Sequence, residues 1–279
     1  MELHRGDAAY PSALDDCPNP PRVLWARGDL SLLERPTVAI VGTRRATAYA
    51  ERVTRQLAMT LARAGACVVS GLARGVDGTA HRAALEVCGA TVAVLGTGLD
   101  VYYPKAHAPL QREIEQRGLV LSEIPPTDAA HPGSFPKRNR IIAALAKVTI
   151  VVEAGVKSGA LITATHALEM GRTVAAVPGP IDVPQCAGSN ELLRDGASLI
   201  AGMADAVALL GLTAPIRLQE LPEGTDERLV WDALDHGGLD LESLSARASL
   251  PAHQALAAVS ALELRGLVEC ALSGEIRRM

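Results

Sequence analysis

Glycines, hydroxyls and basic side chains follow several apolar segments of this chain, and together they could bind an anion. The three segments that show this best are followed by Gly42-Thr43-Arg44-Arg45, by Gly71-Leu72-Ala73-Arg74-Gly75 and by Gly155-Val156-Lys157-Ser158-Gly159. Glycine lets a ligand approach the backbone, and the free amides at the start of a helix attract negative charge. A turn between a strand and a helix needs glycine in any case, so one such turn would indicate little. Their repetition beside hydroxyl and basic groups predicts an anion-binding crevice.

A further basic group lies in His131–Lys147, which contains four Lys or Arg residues and no acidic residue. Its centre, Phe135-Pro136-Lys137-Arg138-Asn139-Arg140, is expected to begin a helix and to present its cations at the mouth of the crevice. Arg binds phosphate through two parallel hydrogen bonds and Lys through its charge. A charge run is ordinarily a solvated face, but its position beside Phe135 favours a function here. Several phosphate contacts suit a polyanionic strand better than one mononucleotide.

Aromatic rings are scarce, because only 3% of the residues are aromatic and Phe135 is the single phenylalanine. A nucleic-acid site in this chain must therefore depend on backbone phosphates and shape. At most one base would stack, on Phe135 or on the Tyr102-Tyr103 pair that precedes Lys105.

Sites of other kinds are disfavoured by the spacing of the residues. Arg44 and Arg45 stand where a G-x-G-x-x-G fingerprint needs its second glycine, and no G-x-x-x-x-G-K-[ST] segment occurs, so dehydrogenases and P-loop NTPases are disfavoured. The seven histidines show no metal-ligand spacing, and we expect neither a metal nor a cofactor. Asp77 and His81 could act as an acid–base pair on one helix, although we favour a helix-capping Asp77 and a packed His81.

The composition is that of a globular protein with two domains. The chain has 279 residues, of which 48% are apolar and 21% charged, with a net charge of −4. Five scattered cysteines without a C-x-x-C motif suggest reduced thiols in the cytosol. No apolar run is long enough for a membrane span, and the N-terminus has no signal-peptide core, so a cytoplasmic location is expected.

Short β-branched runs alternate with segments of helical period between Thr37 and about Leu212. The runs are continuously apolar, as strands buried on both faces must be, which predicts an open α/β sheet, mostly parallel, with helices on both faces. Ligands of such sheets bind beyond the carboxyl ends of the strands. The predicted strands are Thr37–Val41, Cys67–Ser70, Thr91–Leu95, Leu119–Ser122, Val148–Val152, Thr173–Val177 and a weak one at Ser198–Ile200.

Four regions follow from this pattern. Residues 1–36 form a Pro-rich arm that packs on the core, residues 37–213 form the Rossmann-like domain, 214–225 form a linker, and 226–279 form a small winged-helix-like domain. Residues 216–279 hold 6 basic and 11 acidic residues, a net charge of −5. That charge, together with Glu263 in the candidate recognition helix Pro251–Arg265, argues against duplex binding by this domain.

The motifs of the larger domain, in their order, resemble those of the DNA-processing protein A family, also called DprA or Smf. The resemblance extends from about Tyr10 to Leu210. The motifs that carry it are Gly42-Thr43-Arg44, Ser70-Gly71-Leu72-Ala73-Arg74-Gly75-Val76-Asp77, Gly98-Leu99-Asp100-Val101-Tyr102-Tyr103-Pro104, Phe135-Pro136-Lys137-Arg138-Asn139-Arg140, Val152-Glu153-Ala154 and Val177-Pro178-Gly179.

The resemblance implies an extended Rossmann-like fold and a homodimer that binds single-stranded DNA without being an enzyme. It further implies loading of RecA on incoming strands in natural transformation, in competition with single-strand binding protein, with DNA repair as a further role. By resemblance Arg44, the basic box of residues 137–140 and Lys105 would line the DNA pocket. With the crevice residues, the expected DNA-binding set is Gly42, Thr43, Arg44, Arg74, Lys105, Phe135, Lys137, Arg138, Asn139, Arg140, Lys157 and Ser158.

Two other functions stay open at this point. A nucleotide-processing enzyme of the Rossmann-like phosphoribohydrolase type is faintly suggested by Lys157–Glu169, although its Pro-Gly-Gly-x-Gly-Thr segment is absent. In such an enzyme Glu153 could position a sugar hydroxyl; it could equally pair with a neighbouring arginine such as Arg44. A regulatory protein that binds duplex DNA through the winged helix is the weaker third alternative.

Overall fold

The computed structural model describes residues 1–213, 225–234, 237–264, 267–271 and 274–278. The chain forms two compact units, Met1–Pro215 and Ile216–Met279. Of the predicted linker, residues 214–224 lie outside the described residues. No helix among the described segments has both the length and the apolar character to cross a bilayer.

Nine strands and seven α-helices make up the first unit. The strands are β1 (Glu2–His4), β2 (Val23–Gly28), β3 (Thr37–Val41), β4 (Cys67–Ser70), β5 (Thr91–Leu95), β6 (Leu119–Ser122), β7 (Val148–Val151), β8 (Thr173–Ala176) and β9 (Ser198–Leu199). The helices are α1 (Ala48–Arg63), α2 (Val76–Glu86), α3 (Ala108–Arg117), α4 (Ser134–Leu145), α5 (Gly159–Glu169), α6 (Ala187–Arg194) and α7 (Met203–Leu209).

The strands form one sheet in the order β1-β2-β6-β5-β4-β3-β7-β8-β9, in which β3 to β9 pair with one another in parallel. The mostly parallel α/β fold predicted from the sequence is therefore confirmed. The chain runs outward from β3 through β4, β5 and β6, then returns over the sheet by α4 and starts again at β7. The sheet thus has a topological switch point between β3 and its two neighbours, β4 and β7.

Apolar helices cover both faces of this sheet. Ile141 and Ile142 of α4 pack on one face with residues of α5, and Leu57 and Leu61 of α1 pack on the other with residues of α2 and α7. Strands β3 to β7 are buried on both sides, which explains why their sequences are continuously apolar. The helices also fix the positions of the turns at the carboxyl edge of the sheet.

The arm at residues 1–36 contributes more than packing. The sequence analysis expected no strand there, but β2 pairs antiparallel with β6, Trp25 opposite Ser122, and β1 pairs antiparallel with β2. Leu14 and Leu24 are fully buried. The arm is thus the antiparallel end of the sheet.

The second unit contains helices α8 (Thr225–Ala233), α9 (Leu241–Ala248) and α10 (Ala252–Leu264), followed by β10 (Val268–Cys270) and β11 (Ile276–Arg278). The two strands pair antiparallel, with Val268 opposite Arg278. Trp231, Leu244 and Leu262 are buried in a separate small core. Three helices followed by a hairpin agree with the small winged-helix-like domain predicted for residues 226–279.

Candidate functional site

The end of β3 forms the floor of the predicted crevice. The Thr43 amide donates to the Glu153 carbonyl at 2.7 Å, and the Thr43 carbonyl accepts from the Val76 amide at 3.3 Å. These bonds tie the end of β3 to the end of β7 and to the start of α2. A Cβ on Gly42 would lie 2.5 Å from Cγ2 of Val76. The packing of α2 therefore accounts for Gly42, which the sequence analysis had assigned to close approach of a ligand.

Arg44 extends from this floor into solvent beside two aromatic rings. Its guanidinium carbon lies 5.6 Å from the centre of the Phe135 ring, and the Phe135 and Tyr103 ring centres are 5.1 Å apart. Phe135 covers Gly96, where a Cβ would lie 2.6 Å from the ring. Tyr103 is 49% exposed. The loops after β3 and β5 and the first turn of α4 thus present one cation next to a pair of rings.

Four further exposed cations lie on the connections after the strands. Gly75, which has a φ of +72°, packs against the Thr43 carbonyl and so brings the turn that carries Arg74 beside Arg44. The exposed cations at this edge are Arg44, Arg45, Arg74, Lys105 and Lys157. None of them forms an ion pair with any residue in the described part of the chain. Their charge is therefore available to an external anion.

The predicted set omitted Arg45. Arg45 directly follows Arg44 in the same glycine-containing turn, and this position could have placed it in the predicted set. Its amide donates to the Thr43 hydroxyl at 3.2 Å, while its side chain is exposed.

Arg138 is not at the mouth of the crevice, which corrects the sequence-based expectation. Its side chain is buried, with Nη1 donating to the carbonyls of Gly71 (2.8 Å) and Val94, and Nε donating to Oδ1 of Asn139 at 3.3 Å. Burial lowers the pKa of its guanidinium to about 10. From inside the protein, Arg138 thus links α4 to the ends of β4 and β5.

Arg140 is also buried, against expectation. It donates to Oε1 of Glu123 at 2.7 Å, to the Asn19 carbonyl at 3.0 Å and to the Lys137 carbonyl at 3.1 Å. Its guanidinium therefore fastens the N-terminal arm to α4 instead of facing a ligand. Lys137 is exposed, but its Nζ lies 3.3 Å from Oε2 of the same Glu123, which neutralises part of its charge.

Asn139 and Ser158 act within the fold. The Asn139 side chain donates from Nδ2 to the Gly159 carbonyl at 3.0 Å, and the Ser158 hydroxyl accepts from the Ala160 amide at 3.3 Å as the N-cap of α5. Both residues thereby fix the start of α5 against α4.

Asp77 and His81 do not form an acid–base pair. Oδ2 of Asp77 accepts from the amides of Gly71 (3.1 Å) and Ala73 (3.4 Å), so it organises the turn after β4 instead of capping α2 as predicted. Burial raises the pKa of this carboxyl. His81 lies inside the protein with Nδ1 2.7 Å from the Thr91 hydroxyl, as expected for a packed histidine, and burial lowers its pKa to about 3.

The carboxylate of Glu153 is hydrogen-bonded to the start of helix α1. Its carboxylate accepts from the Thr47 amide at 3.0 Å and from the Thr47 hydroxyl at 2.7 Å. Thr47 is the N-cap of α1, so Glu153 stabilises that helix from the neighbouring strand β7. Among the described residues it pairs with neither Arg44 nor another arginine, and both of its oxygens accept a hydrogen bond from Thr47. The described residues contain no cluster of three or more side chains suited to a metal ion.

Comparison with known proteins gives two family matches. Residues 2–211 match the family model of DNA recombination-mediator protein A, and residues 214–274 match that of the DprA winged helix domain. Protein Smf of Escherichia coli is 38% identical over 279 aligned residues, which cover 96% of this chain and 75% of the relative.

Two solved structures have the same fold. DNA processing protein A of Streptococcus pneumoniae is 41% identical with a TM-score of 0.72, covering 75% of this chain and 73% of the neighbour. DNA processing protein A of Helicobacter pylori is 37% identical with a TM-score of 0.69, covering 76% of this chain and 95% of the neighbour. The structure of the latter is described in terms of its single-stranded DNA binding mode.

Proposed function

The chain belongs to the DNA recombination-mediator protein A family, and from this premise we propose that it binds single-stranded DNA at the carboxyl edge of its sheet. The observation that carries the proposal is the group formed by Arg44, Phe135 and Tyr103, at an edge whose exposed cations have no acidic partner in the described part of the chain. Exposed cations bind phosphates of any sequence, and a ring can stack on any base.

In this proposal the residues have separate roles. Arg44, Arg74, Lys105 and Lys157 contact phosphates, and Phe135 stacks on a base with Tyr103 beside it. Lys137 contributes less, because Glu123 is 3.3 Å away. Gly42, Thr43, Asn139 and Ser158 hold the turns in place, and Arg140 supports α4 from inside.

A single strand fits this surface better than a duplex. Stacking on the partly exposed Phe135 beside the exposed Tyr103 requires an unstacked base, which a duplex does not offer without distortion. The second unit adds no basic helix, because α10 contains no Lys or Arg between Ala252 and Leu264. We therefore assign strand binding to the first unit and contact with proteins to the second.

The cellular role we propose is that of the family the motifs resemble. A homodimer of this chain would receive incoming single strands in the cytoplasm and load RecA on them in competition with single-strand binding protein, during natural transformation and DNA repair. This role requires no cofactor and no catalysis. Support comes from the family match over residues 2–211 and from the exposed cations that can receive a strand.

The phosphoribohydrolase alternative is weakened by Glu153. Its carboxylate accepts two hydrogen bonds from Thr47, and the side chain is only 1% exposed, so a sugar hydroxyl has little access to it. We expect no hydrolysis of nucleoside monophosphates by the wild-type protein. Turnover that Glu153→Gln abolishes, while the thermal midpoint stays the same, would favour the enzyme instead.

The test of the proposed function is fluorescence anisotropy with labelled oligo-dT and with a blunt duplex of equal length, over a series of salt concentrations. We expect tighter binding of the single strand at every salt concentration and a steep loss of affinity as salt increases. Equal or tighter binding of the duplex at moderate salt would contradict the proposal.

A further inference from the structure

A small cavity opens at the switch point of the sheet, between the end of β3 and the first turns of α4 and α5. Its volume is about 150 Å³, and Gly42, Arg44, Arg138, Gly159 and Thr163 are among the residues that line it. It is smaller than the roughly 300–1,000 Å³ of typical ligand pockets, so a phosphate-sized group fits inside it while the sugar and base of a nucleotide would lie outside.

Arg138 brings an unused donor to this cavity. Its Nη1 and Nε have acceptors, but its Nη2 has no acceptor among residues 1–213. The side chain is only 6% exposed. An anion in the cavity would give this nitrogen a charged acceptor.

Thr163 is a second donor without a partner. Threonine in a helix commonly donates to the carbonyl four residues earlier, as Thr165 does to Leu161 at 3.0 Å. Thr163 is 1% exposed and forms no such bond within residues 1–213, and the Gly159 carbonyl that it would use accepts from Asn139. Its hydroxyl therefore stays available on the wall of the cavity.

The charges around the cavity favour an anion. Arg44 and Arg138 are cationic, and Gly159 begins α5, whose first amides have no acceptor inside the helix. Asp77 is the acidic residue in the lining; its Oδ2 accepts from the amides of Gly71 and Ala73, and its charge offsets part of that of Arg138. The cations outnumber it.

We propose that this cavity binds one phosphate group carried as a monoester, the terminal phosphate of a DNA strand. An internal phosphodiester has a chain on both sides, whereas a terminal phosphate enters a space of this size with one chain leaving it. Arg138 and Thr163 would bind the phosphate oxygens from inside and Arg44 from the mouth. The inference depends on the proposed binding of single-stranded DNA and adds a preference for phosphorylated ends; a free mononucleotide offers the same chemistry.

The test compares oligo-dT carrying a 5′-phosphate, a 3′-phosphate or only hydroxyl ends, bound to the full chain. We expect one phosphorylated form to bind about tenfold more tightly than the hydroxyl form, the scale of one hydrogen bond to a charged group. Thr163→Val should abolish the difference and Thr163→Ser should keep it. Thr165→Val, the same change on the exposed side of α5, should also keep it. Equal affinity of the wild-type protein for all three oligonucleotides would overturn the proposal.

A second arm separates this inference from the proposed function. Inorganic phosphate and thymidine 5′-monophosphate are titrated into the full chain without DNA and followed by ³¹P NMR. If no oligonucleotide binds but either small ligand binds to wild-type protein and not to Thr163→Val, strand binding is wrong while the phosphate site stands, with a free monoester as its ligand. If oligonucleotides bind without any preference for phosphorylated ends, the strand-binding function stands and the terminal-phosphate site is wrong.

Discussion

The guanidinium carbon of Arg44 lies 5.6 Å from the centre of the Phe135 ring, although Arg44 follows β3 and Phe135 lies in the first turn of α4. The pair places a side chain that can donate hydrogen bonds to a phosphate beside a ring on which a base can stack. The first two predictions separate these two functions, since one depends on salt and the other does not.

Replacing Arg44 with alanine should weaken binding of every single-stranded sequence by a similar factor. The slope of log K against log salt should fall by about 0.7, the value for one phosphate contact of a single strand. Arg44→Lys should recover part of the affinity, because a point charge cannot form two parallel hydrogen bonds. Arg63→Ala, an exposed arginine at the opposite end of α1, serves as the control and should leave the slope unchanged. An unchanged slope for Arg44→Ala would mean that Arg44 contacts no phosphate.

Replacing Phe135 with alanine should weaken binding of oligo-dT by about 1–3 kcal/mol without changing the salt slope, because the ring contributes stacking and no charge. Phe135→Tyr should retain most of the affinity. The measurement is anisotropy at several salt concentrations. A change of slope equal to that of Arg44→Ala would show that the substitution had displaced Arg44 and that Phe135 does not stack on a base.

Replacing Arg140 with alanine should reduce stability instead of the salt slope. Its guanidinium is buried and pairs with the partly buried Glu123, and removing one partner of a fully buried ion pair costs about 3–5 kcal/mol. Lys137 remains beside Glu123, so we expect a loss of about 2–3 kcal/mol in urea unfolding. Lys137→Ala, which removes the exposed partner of Glu123, should cost less than about 1 kcal/mol. A lower salt slope with unchanged stability would place Arg140 on the DNA after all.

Stability should fall in acid because of His81. Its pKa is about 3 in the fold, below the roughly 6.5 of an unfolded histidine, so the unfolded chain binds the proton first. The contribution is complete above pH 6.5 and is lost as the pH falls toward 3, by at most about 1.4 kcal/mol per pH unit. His81→Asn should flatten this dependence, whereas the same change at the exposed His131 should not. Urea unfolding monitored by Trp25 in a Trp231→Phe background reports on the first unit.

Removing residues 216–279 should leave most of the affinity for single strands. That segment has a net charge of −5, and α10 has no basic residue. We expect the dissociation constant for oligo-dT to change by less than tenfold, which is about 1.4 kcal/mol. A larger loss would assign part of the strand contact to the second unit.

The strands of the parallel sheet could be predicted almost to the residue because each is a short, continuously apolar run. β3 and β5 have the predicted bounds, and β7 ends at Val151, one residue earlier than expected. β1 and β2 were missed because they flank a proline-rich segment, and β1 has only three residues. The partner of β2 is β6, more than ninety residues further along the chain, and no local pattern contains that pairing.

The site was harder to predict because arginines with different environments look alike in a sequence. Arg44 is exposed and Arg138 is buried, yet both lie in motifs rich in basic residues. Helical spacing did contain a signal: Ser134, Arg138, Ile141 and Leu145 share the buried face of α4. For Arg140 the deciding partners are Glu123 and the Asn19 carbonyl, which only the tertiary structure brings together.

The position of β3 in the sheet has a consequence for the kinetics of folding. Val38 pairs with Val68 on one side and with Val148 on the other, so the second pairing must close a loop that contains most of the domain. Contacts between residues so distant in sequence form slowly. The cavity at the switch point, which needs β3, α4 and α5 together, is therefore expected to be completed late in refolding. Oligonucleotide binding should be regained after most of the helical circular dichroism has returned.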